Sequence, residues 1–420
     1  MRSILPTAAS AGGEPATAAT IIERDAHSIS RKNISNNALR VLYDLNKAGY
    51  ESYLVGGCIR DLLLDGHPKD FDVATDATPE QVHRLFRRSR IVGRRFKIVH
   101  VRFGREVIEV TTFRAAHQAS DTGTHGEQNA HGMLLRDNVF GSLREDALRR
   151  DFTVNALYYT VDGFRLLDYT GGLQDLDNRL LRIIGDAEQR YREDPVRMLR
   201  VVRFAAKLGF AIEDSTAAPL ARLAEHLGQV AAARLFDEMI KLFLNGKALR
   251  AFELLLQYQL FAPLFPATAQ CLAQGDKTGE ALIRAALHNT DQRIADDKPV
   301  TPAFLYASLL WPVYKMHQQQ LEDDSTPAWQ ARQLASQQAI AQQLSVISIP
   351  KRYSIPVREI WNMQNNLAQA KGKRALTLLG HARFRAAYDF LLLREQAGET
   401  LPRGSQFWTE LQAENPAQLH

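Results

Sequence analysis

Apolar and polar positions recur with two different periods in this chain, and the change from one to the other divides it. Ala38, Val41, Leu42 and Leu45 form one face of a helix that Ser35 can cap and Gly49 ends. A short strand over 51–55 stops at Gly56-Gly57, a helix over 58–64 is stopped by Gly66 and Pro68, and a strand runs from Phe71 to Thr75. Thr78-Pro79-Glu80-Gln81 opens another helix, with Thr as cap, Pro in first position and Val82, Leu85 and Phe86 as its buried stripe. Strands are expected from about Lys97 to Phe103 and Glu106 to Phe113 around a Gly104-Arg105 turn, and on either side of Asp162-Gly163, over 157–161 and 164–168. Ser142-Leu143-Arg144-Glu145 is a second capping box, starting a helix that runs into Arg149-Arg150-Asp151. After about residue 186 strand signals vanish, and 195–208, 217–227, 234–245 and 248–258 carry helical stripes between Gly, Pro or polar breaks. The pattern predicts an α+β chain with a small mixed head and an all-helical remainder. Two stretches show no period: residues 1–30, read as a mobile leader without packed structure, and the polar run 117–131, read as a flexible loop.

Composition narrows the setting. With 420 residues, 45% of them apolar, the chain can bury more than one core, and two or three domains are expected. Cys58 and Cys271 are the only cysteines, which excludes a disulfide framework and a structural zinc site and fits a reducing cytoplasm. No run of eighteen apolar residues occurs and the N-terminus lacks the apolar core of a secretory signal, so neither a transmembrane segment nor export is expected. The formal net charge is only +5, so the placement of charge matters more than its sum. From Gln81 to Arg105 there is no acid, against Arg84, Arg87, Arg88, Arg90, Arg94, Arg95, Lys97, Arg102 and Arg105. Such a stripe attracts polyanions. The C-terminal third interleaves Lys351, Arg352, Arg358, Lys371, Lys373, Arg374, Arg383 and Arg385 with Tyr353 and Trp361, a pattern read as an RNA surface, whereas residues 396–420 hold Arg403 and three Glu.

The chemistry concentrates at Gly56-Gly57-Cys58-Ile59-Arg60-Asp61 and Asp70-Phe71-Asp72. Two residues without Cβ after a strand allow positive φ and close approach of an anion. Side chains at i and i+2 of a strand share a face, so Asp70 and Asp72 can hold Mg²⁺ carrying a nucleoside triphosphate. A third carboxylate is expected. Glu109, opposite in face to Ile108 and Val110, and Asp151 both remain candidates. Gly56 and Gly57 would offer backbone N–H groups to the triphosphate, and Arg60 and Arg150 charge-assisted bonds.

Leu54-Val55-Gly56-Gly57, Arg60-Asp61, Lys69-Asp70-Phe71-Asp72, Arg149-Arg150-Asp151-Phe152-Thr153 and Glu193-Asp194-Pro195-Val196-Arg197, in that order, resemble the motifs of bacterial class II nucleotidyltransferases. That family contains tRNA CCA-adding enzymes and poly(A) polymerases. The resemblance covers roughly residues 35–260 and implies a nucleotidyltransferase head with the metal site, then helical neck, body and tail domains. The expected boundaries are a leader over 1–30, the head over 31–185, a nucleotide-recognising neck over 186–260 and an RNA-binding body and tail over 261–420. The segment Ile91 to Val101 and Arg31-Lys32-Asn33-Ile34-Ser35 resemble the poly(A) polymerase branch. The implied reaction adds AMP from ATP to the 3′-hydroxyl of RNA without a template, with two Mg²⁺ ions on Asp70 and Asp72 and release of pyrophosphate. Asp194, which can also cap the next helix, and Arg197 would read the adenine edge, with Arg200 continuing the basic strip. Arg94, Arg95 and Lys97 would meet RNA. CCA addition to tRNA shares the metal chemistry and stays open as the alternative. An inactive RNA-binding regulator would have lost a metal carboxylate, and both are present here.

Overall fold

The structure, a computed structural model, describes residues 18–93, 97–115 and 139–416. They divide into two compact units, one running to Asp194 and taking in Phe210–Ala217, the other comprising Pro195–Gly209 and the chain from Ala218 onward. The first unit is the mixed head. Its strands are β1 (Thr20–Ile22), β2 (Ser52–Val55), β3 (Asp72–Thr75), β4 (Ser89–Val92), β5 (Ile98–Phe103), β6 (Glu106–Thr112), β7 (Leu157–Tyr159) and β8 (Leu166–Asp168), in the sheet order β1-β8-β7-β2-β3-β6-β5-β4. All neighbours are antiparallel except β3 and β6. The helices are α1 (Asn36–Lys47), α2 (Gly57–Leu63), α3 (Pro79–Leu85), α4 (Leu143–Arg149), α5 (Gly172–Asp177) and α6 (Ala187–Glu193).

Alternation along the strands gives the sheet two unlike faces. On one, Leu54, Val73, Val99, Val101, Ile108 and Val110 pack with the apolar faces of α1, α2 and α3 in the main head core. On the other, Val55, Ala74 and Tyr158 join Phe113, Leu143 and Ala147 in a smaller cluster under α4. The second face is therefore only partly covered, which leaves room for polar side chains. Both sequence-read capping boxes are present, at Thr78 with Gln81 and at Ser142 with Glu145. Ser35 caps α1 by accepting from the N–H groups of Asn37 and Ala38, and its hydroxyl donates to Glu106.

Three readings need correction. Part of the expected leader is packed: Thr20–Ile22 pairs with β8, Ile29 is buried in the main core, and His27 Nε2 lies 2.8 Å from the Phe164 carbonyl oxygen. A three-residue edge strand is too short to show a period, so composition hid it. Residues 1–17 and the loop read over 117–131 lie outside the described residues. Second, β4 falls where only a cationic run was legible, because an edge strand can carry Arg90 without burying it. Third, after residue 186 the short strand Ala211–Ile212 pairs parallel with Leu180–Leu181 in the head.

The second unit is helical, with Val196–Leu208 as α7 and later helices including Ala232–Phe243, Lys277–Ala295 and Lys351–Gln369. Its aromatics do not form the expected RNA surface. Trp361 is 1% exposed, donates from Nε1 to the Ala307 carbonyl oxygen at 3.0 Å and stacks on Tyr314, while Tyr353 stacks on Phe236. Helical spacing puts Trp361 on the core face, the commoner place for large apolar groups, and leaves Tyr353 half-buried. Arg383 pairs with Glu359 and Arg385 with Asp389, whereas Lys351, Arg352, Lys371, Lys373 and Arg374 are exposed. No helix among the described residues is long and apolar enough to cross a membrane.

Candidate active site

Sheet register assembles the polar face. Val55 on β2 is opposite Asp72 on β3, Asp72 is opposite Glu109 on β6, and Glu109 is opposite His100 on β5. Directly paired residues share a face, so Asp72, Glu109 and His100 stand side by side on the partly covered side of the sheet. Glu109 Oε1 lies 3.4 Å from His100 Nε2. Asp70 is exposed, just before β3 begins. Burial pushes the Asp72 carboxyl up to about 6, repulsion from Glu109 adds to the rise, Arg150 opposes it, and Asp70 adds to it. A doubly charged cation would relieve both repulsions, and hard carboxylate oxygens suit magnesium. Among the described residues no group of three or more His, Cys, Asp or Glu side chains is placed so that it could hold a metal ion by itself. Magnesium leaves most of its positions to substrate phosphates and water, so an open row of carboxylates fits it better than a cage.

The Gly-Gly turn lies against this row. Gly56 has φ of 85°, and a Cβ on it would stand 3.7 Å from Asp72 Oδ2 and 4.0 Å from Arg150 Nη1. Only the first of the two glycines uses the left-handed region. Gly57 opens α2, where a Cβ would come within 3.3 Å of the Arg60 guanidinium. The sequence reading gives that guanidinium a phosphate; in the structure it is engaged by neighbouring side chains. Arg60 is 2% exposed and donates to Asp61 Oδ1 and, at 2.6 Å, to Asn155 Oδ1. The short helix turns it inward beneath the loop, where it ties the turn to the segment after Arg150. Replacing Arg60 by Ala should lower unfolding free energy by about 2 kcal/mol in a denaturant titration, since buried acceptors lose a charged donor.

Arg150 follows α4. Its Nε and Nη2 donate to Asp146 Oδ2 at 3.1 and 3.0 Å, and Nε also to the Tyr158 hydroxyl at 2.8 Å. The Oδ1 of Asp151 accepts from the Phe152 N–H at 2.8 Å and from Asn155 Nδ2 at 3.4 Å. It thus shapes the 3₁₀ turn Thr153–Asn155 beside the Arg60 anchor.

The other sequence-read residues fall on different elements. Asp194 ends α6 in the head unit, while Arg197 and Arg200 lie on α7 in the helical unit, with the Arg200 guanidinium 5.6 Å from the Phe204 ring centre. Lys97 pairs with Glu80 at 3.1 Å, an acid one residue ahead of the acid-free run. Arg94 and Arg95 lie outside the described residues. Sequence reasoning passed over His100, Asp146, Tyr158 and Arg190. His100 was open to discovery as the polar member of Val99-His100-Val101 on a strand next to Glu109. Arg190 Nη2 donates to the Arg150 carbonyl oxygen at 2.7 Å, a bond over forty residues that no local pattern signals.

Three family models match: the Poly A polymerase head domain over residues 52–182, the probable RNA and SrmB-binding site of polymerase A over 209–272, and the polymerase A arginine-rich C-terminus over 324–420. The chain is 50% identical over 402 residues to Poly(A) polymerase I of Salmonella typhimurium, covering 94% of this chain and 86% of that protein. It is 38% identical over 223 residues to the CCA-adding enzyme of Lactobacillus helveticus, which spans 53% of each. Among solved structures it resembles the Bacillus stearothermophilus CCA-adding enzyme in complex with CTP, with a TM-score of 0.59, 25% identity and coverage of 90% and 82% of the two chains. The poly(A) polymerase match runs nearly end to end, whereas the sequence match to the CCA-adding enzyme spans about half of each chain. With the head architecture and its carboxylate row, these likenesses establish that the chain belongs to the bacterial poly(A) polymerases of the tRNA nucleotidyltransferase family.

Proposed function

We propose that this chain adds AMP from ATP to the 3′-hydroxyl of RNA without a template, using the row built on Asp72. The observation that carries the site assignment is the register pairing of Asp72 with Glu109 beside the Gly56 turn. Asp70 and Asp72, with Glu109 as the third carboxylate, would hold two Mg²⁺ ions that, when bound, lower the pKa of the attacking hydroxyl and neutralise the triphosphate. Glu109 is preferred to Asp151 because it shares a face with Asp72, whereas the carboxylate of Asp151 is engaged in its own turn. Backbone N–H groups of Gly56 and Gly57 and the Arg150 guanidinium would orient the triphosphate for in-line displacement of pyrophosphate. Arg60 supports the turn from below.

Selection of adenine is assigned to Asp194, accepting from the N6 amine, and Arg197, donating to a ring nitrogen, with Arg200 extending the basic strip of a neck over 186–260. The cationic run around Lys97, with Arg94 and Arg95, and the exposed cations of the body and tail over 261–420 would take the RNA backbone. Cys58 and Cys271 are both free and buried, which accords with a reducing cytoplasm.

Extension of a 5′-labelled RNA in ATP alone tests the proposal: a ladder of added adenylates should stop on chelation and return with magnesium, and extension indifferent to chelation would refute it. Asp194→Ala should relax base choice, seen as GTP or CTP incorporation rising about tenfold relative to ATP, the scale of one lost base-edge hydrogen-bond pair. A variant that loses only thermal stability and stays selective for ATP would reduce Asp194 to a helix cap.

A further inference from the structure

Arg150 is held on one side and open on the other. Asp146 is 5% exposed, and its Oδ2 accepts from Arg150 Nε and Nη2 and, at 2.7 Å, from the Tyr158 hydroxyl. Its Oδ1 accepts from the Arg114 backbone N–H at 3.2 Å, so the carboxylate is fixed at both oxygens. Tyr158 is fully buried, and its hydroxyl both donates to Asp146 and accepts from Arg150 Nε. Its ring centre lies 5.3 Å from the Arg150 guanidinium carbon. The guanidinium is planar and rigid, so fixing Nε and Nη2 also fixes the direction of Nη1. Among the described residues Nη1 has no hydrogen-bond partner, and it lies 4.0 Å from where a Cβ on Gly56 would stand, next to Asp72 Oδ2 at 3.7 Å from the same point.

We infer that Tyr158 and Asp146 are positioning residues: they clamp the guanidinium of Arg150 so that Nη1 is presented at the Gly56 turn, ready for a phosphate oxygen of the incoming nucleotide. The inference rests on the reading of Arg150 as a triphosphate contact. Tyr158 contributes through its hydroxyl alone, since the ring would pack equally well as Phe. Without that hydroxyl Nε keeps one acceptor of two, and the fork can swing away from the turn. The consequence belongs to ATP and pyrophosphate, which both present phosphates there, and not to RNA.

A double-mutant cycle separates this from a purely structural role. Tyr158→Phe should lower kcat/KM for ATP about tenfold, mostly through KM, and raise the inhibition constant for pyrophosphate in parallel, while RNA affinity stays within about twofold. In an Arg150→Ala background the same substitution should change kcat/KM by less than about twofold, because its effect passes through the missing side chain. Asp146→Asn, which keeps an acceptor but loses the charge, should couple to Arg150 in the same way and serves as the second variant if Tyr158→Phe folds poorly. Equal losses in both backgrounds, or an unchanged Tyr158→Phe beside a crippled Arg150→Ala, would overturn the inference while leaving the phosphate role of Arg150 intact. An Arg150→Ala enzyme with parental kcat/KM would instead overturn that role, and the inference with it.

Discussion

Asp72→Asn should leave a chain that no longer tails RNA and yet unfolds less readily than its parent. The loss of activity is expected to exceed about a thousandfold, since a carboxylate that holds the metal contributes several kcal/mol of transition-state stabilisation. The gain in stability follows from burial. The Asp72 carboxyl, crowded by Glu109 and Asp70, is pushed up to about 6. A carboxyl raised above its unfolded value contributes stability below about pH 4, and that contribution is lost as pH rises through 6. Above pH 6 the ionised side chain costs on the order of 3 kcal/mol even with Arg150 beside it, and Asn avoids part of that cost. In chelator at pH 8 the variant should therefore be about 1 kcal/mol more stable, and the difference should vanish near pH 4. Magnesium should stabilise the parent and not the variant. Asp70→Asn should abolish tailing too, with a smaller change in stability because Asp70 is exposed. Tailing within tenfold of the parent would remove either residue from the metal site.

Glu109→Gln should cost about a hundredfold to a thousandfold in kcat with RNA affinity unchanged, the expectation for a group acting at the reacting atoms. Asp151→Asn should differ in kind. Its carboxylate accepts from the Phe152 N–H and from Asn155 within the turn that meets Arg60, so its loss should show first as lowered stability. His100 lies against Glu109, and His100→Ala should give a milder fall in kcat that His100→Gln partly restores, since an amide can still donate to the carboxylate. A Glu109→Gln enzyme with parental kcat would return Asp151 to contention.

Much of the head was legible because its signals are local. The helix caps at Ser35, Thr78 and Ser142, the Gly104 and Gly163 turns and the alternation of β5 and β6 each depend on residues within a few positions of one another, and all are found. The facing of Glu109 away from Ile108 and Val110 was also readable from alternation. Its partner was not, because the pairing of β3 with β6 is a parallel register across more than thirty residues. The partners of Arg60 were hidden for a related reason: charge suggests a phosphate contact, whereas the fold supplies acceptors on Asp61 and Asn155, the latter ninety-five positions away. Trp361 shows the converse error, in which composition suggested a surface and packing took the ring into the core, while Tyr353 is half-buried against Phe236. The Asp146–Tyr158–Arg150 clamp depends on a strand and a helix end meeting, so only the structure brings it together.

The choice of nucleotide tests the account most directly, because CCA-adding relatives share the head and differ in what they add. The purified chain would be given a generic RNA and, separately, a tRNA trimmed of its CCA end, each with labelled ATP and CTP at equal concentration and magnesium. Long runs of adenylate on both acceptors with no cytidylate are expected, whereas incorporation of cytidylate that stops after CCA on the trimmed tRNA would contradict the assignment to poly(A) addition.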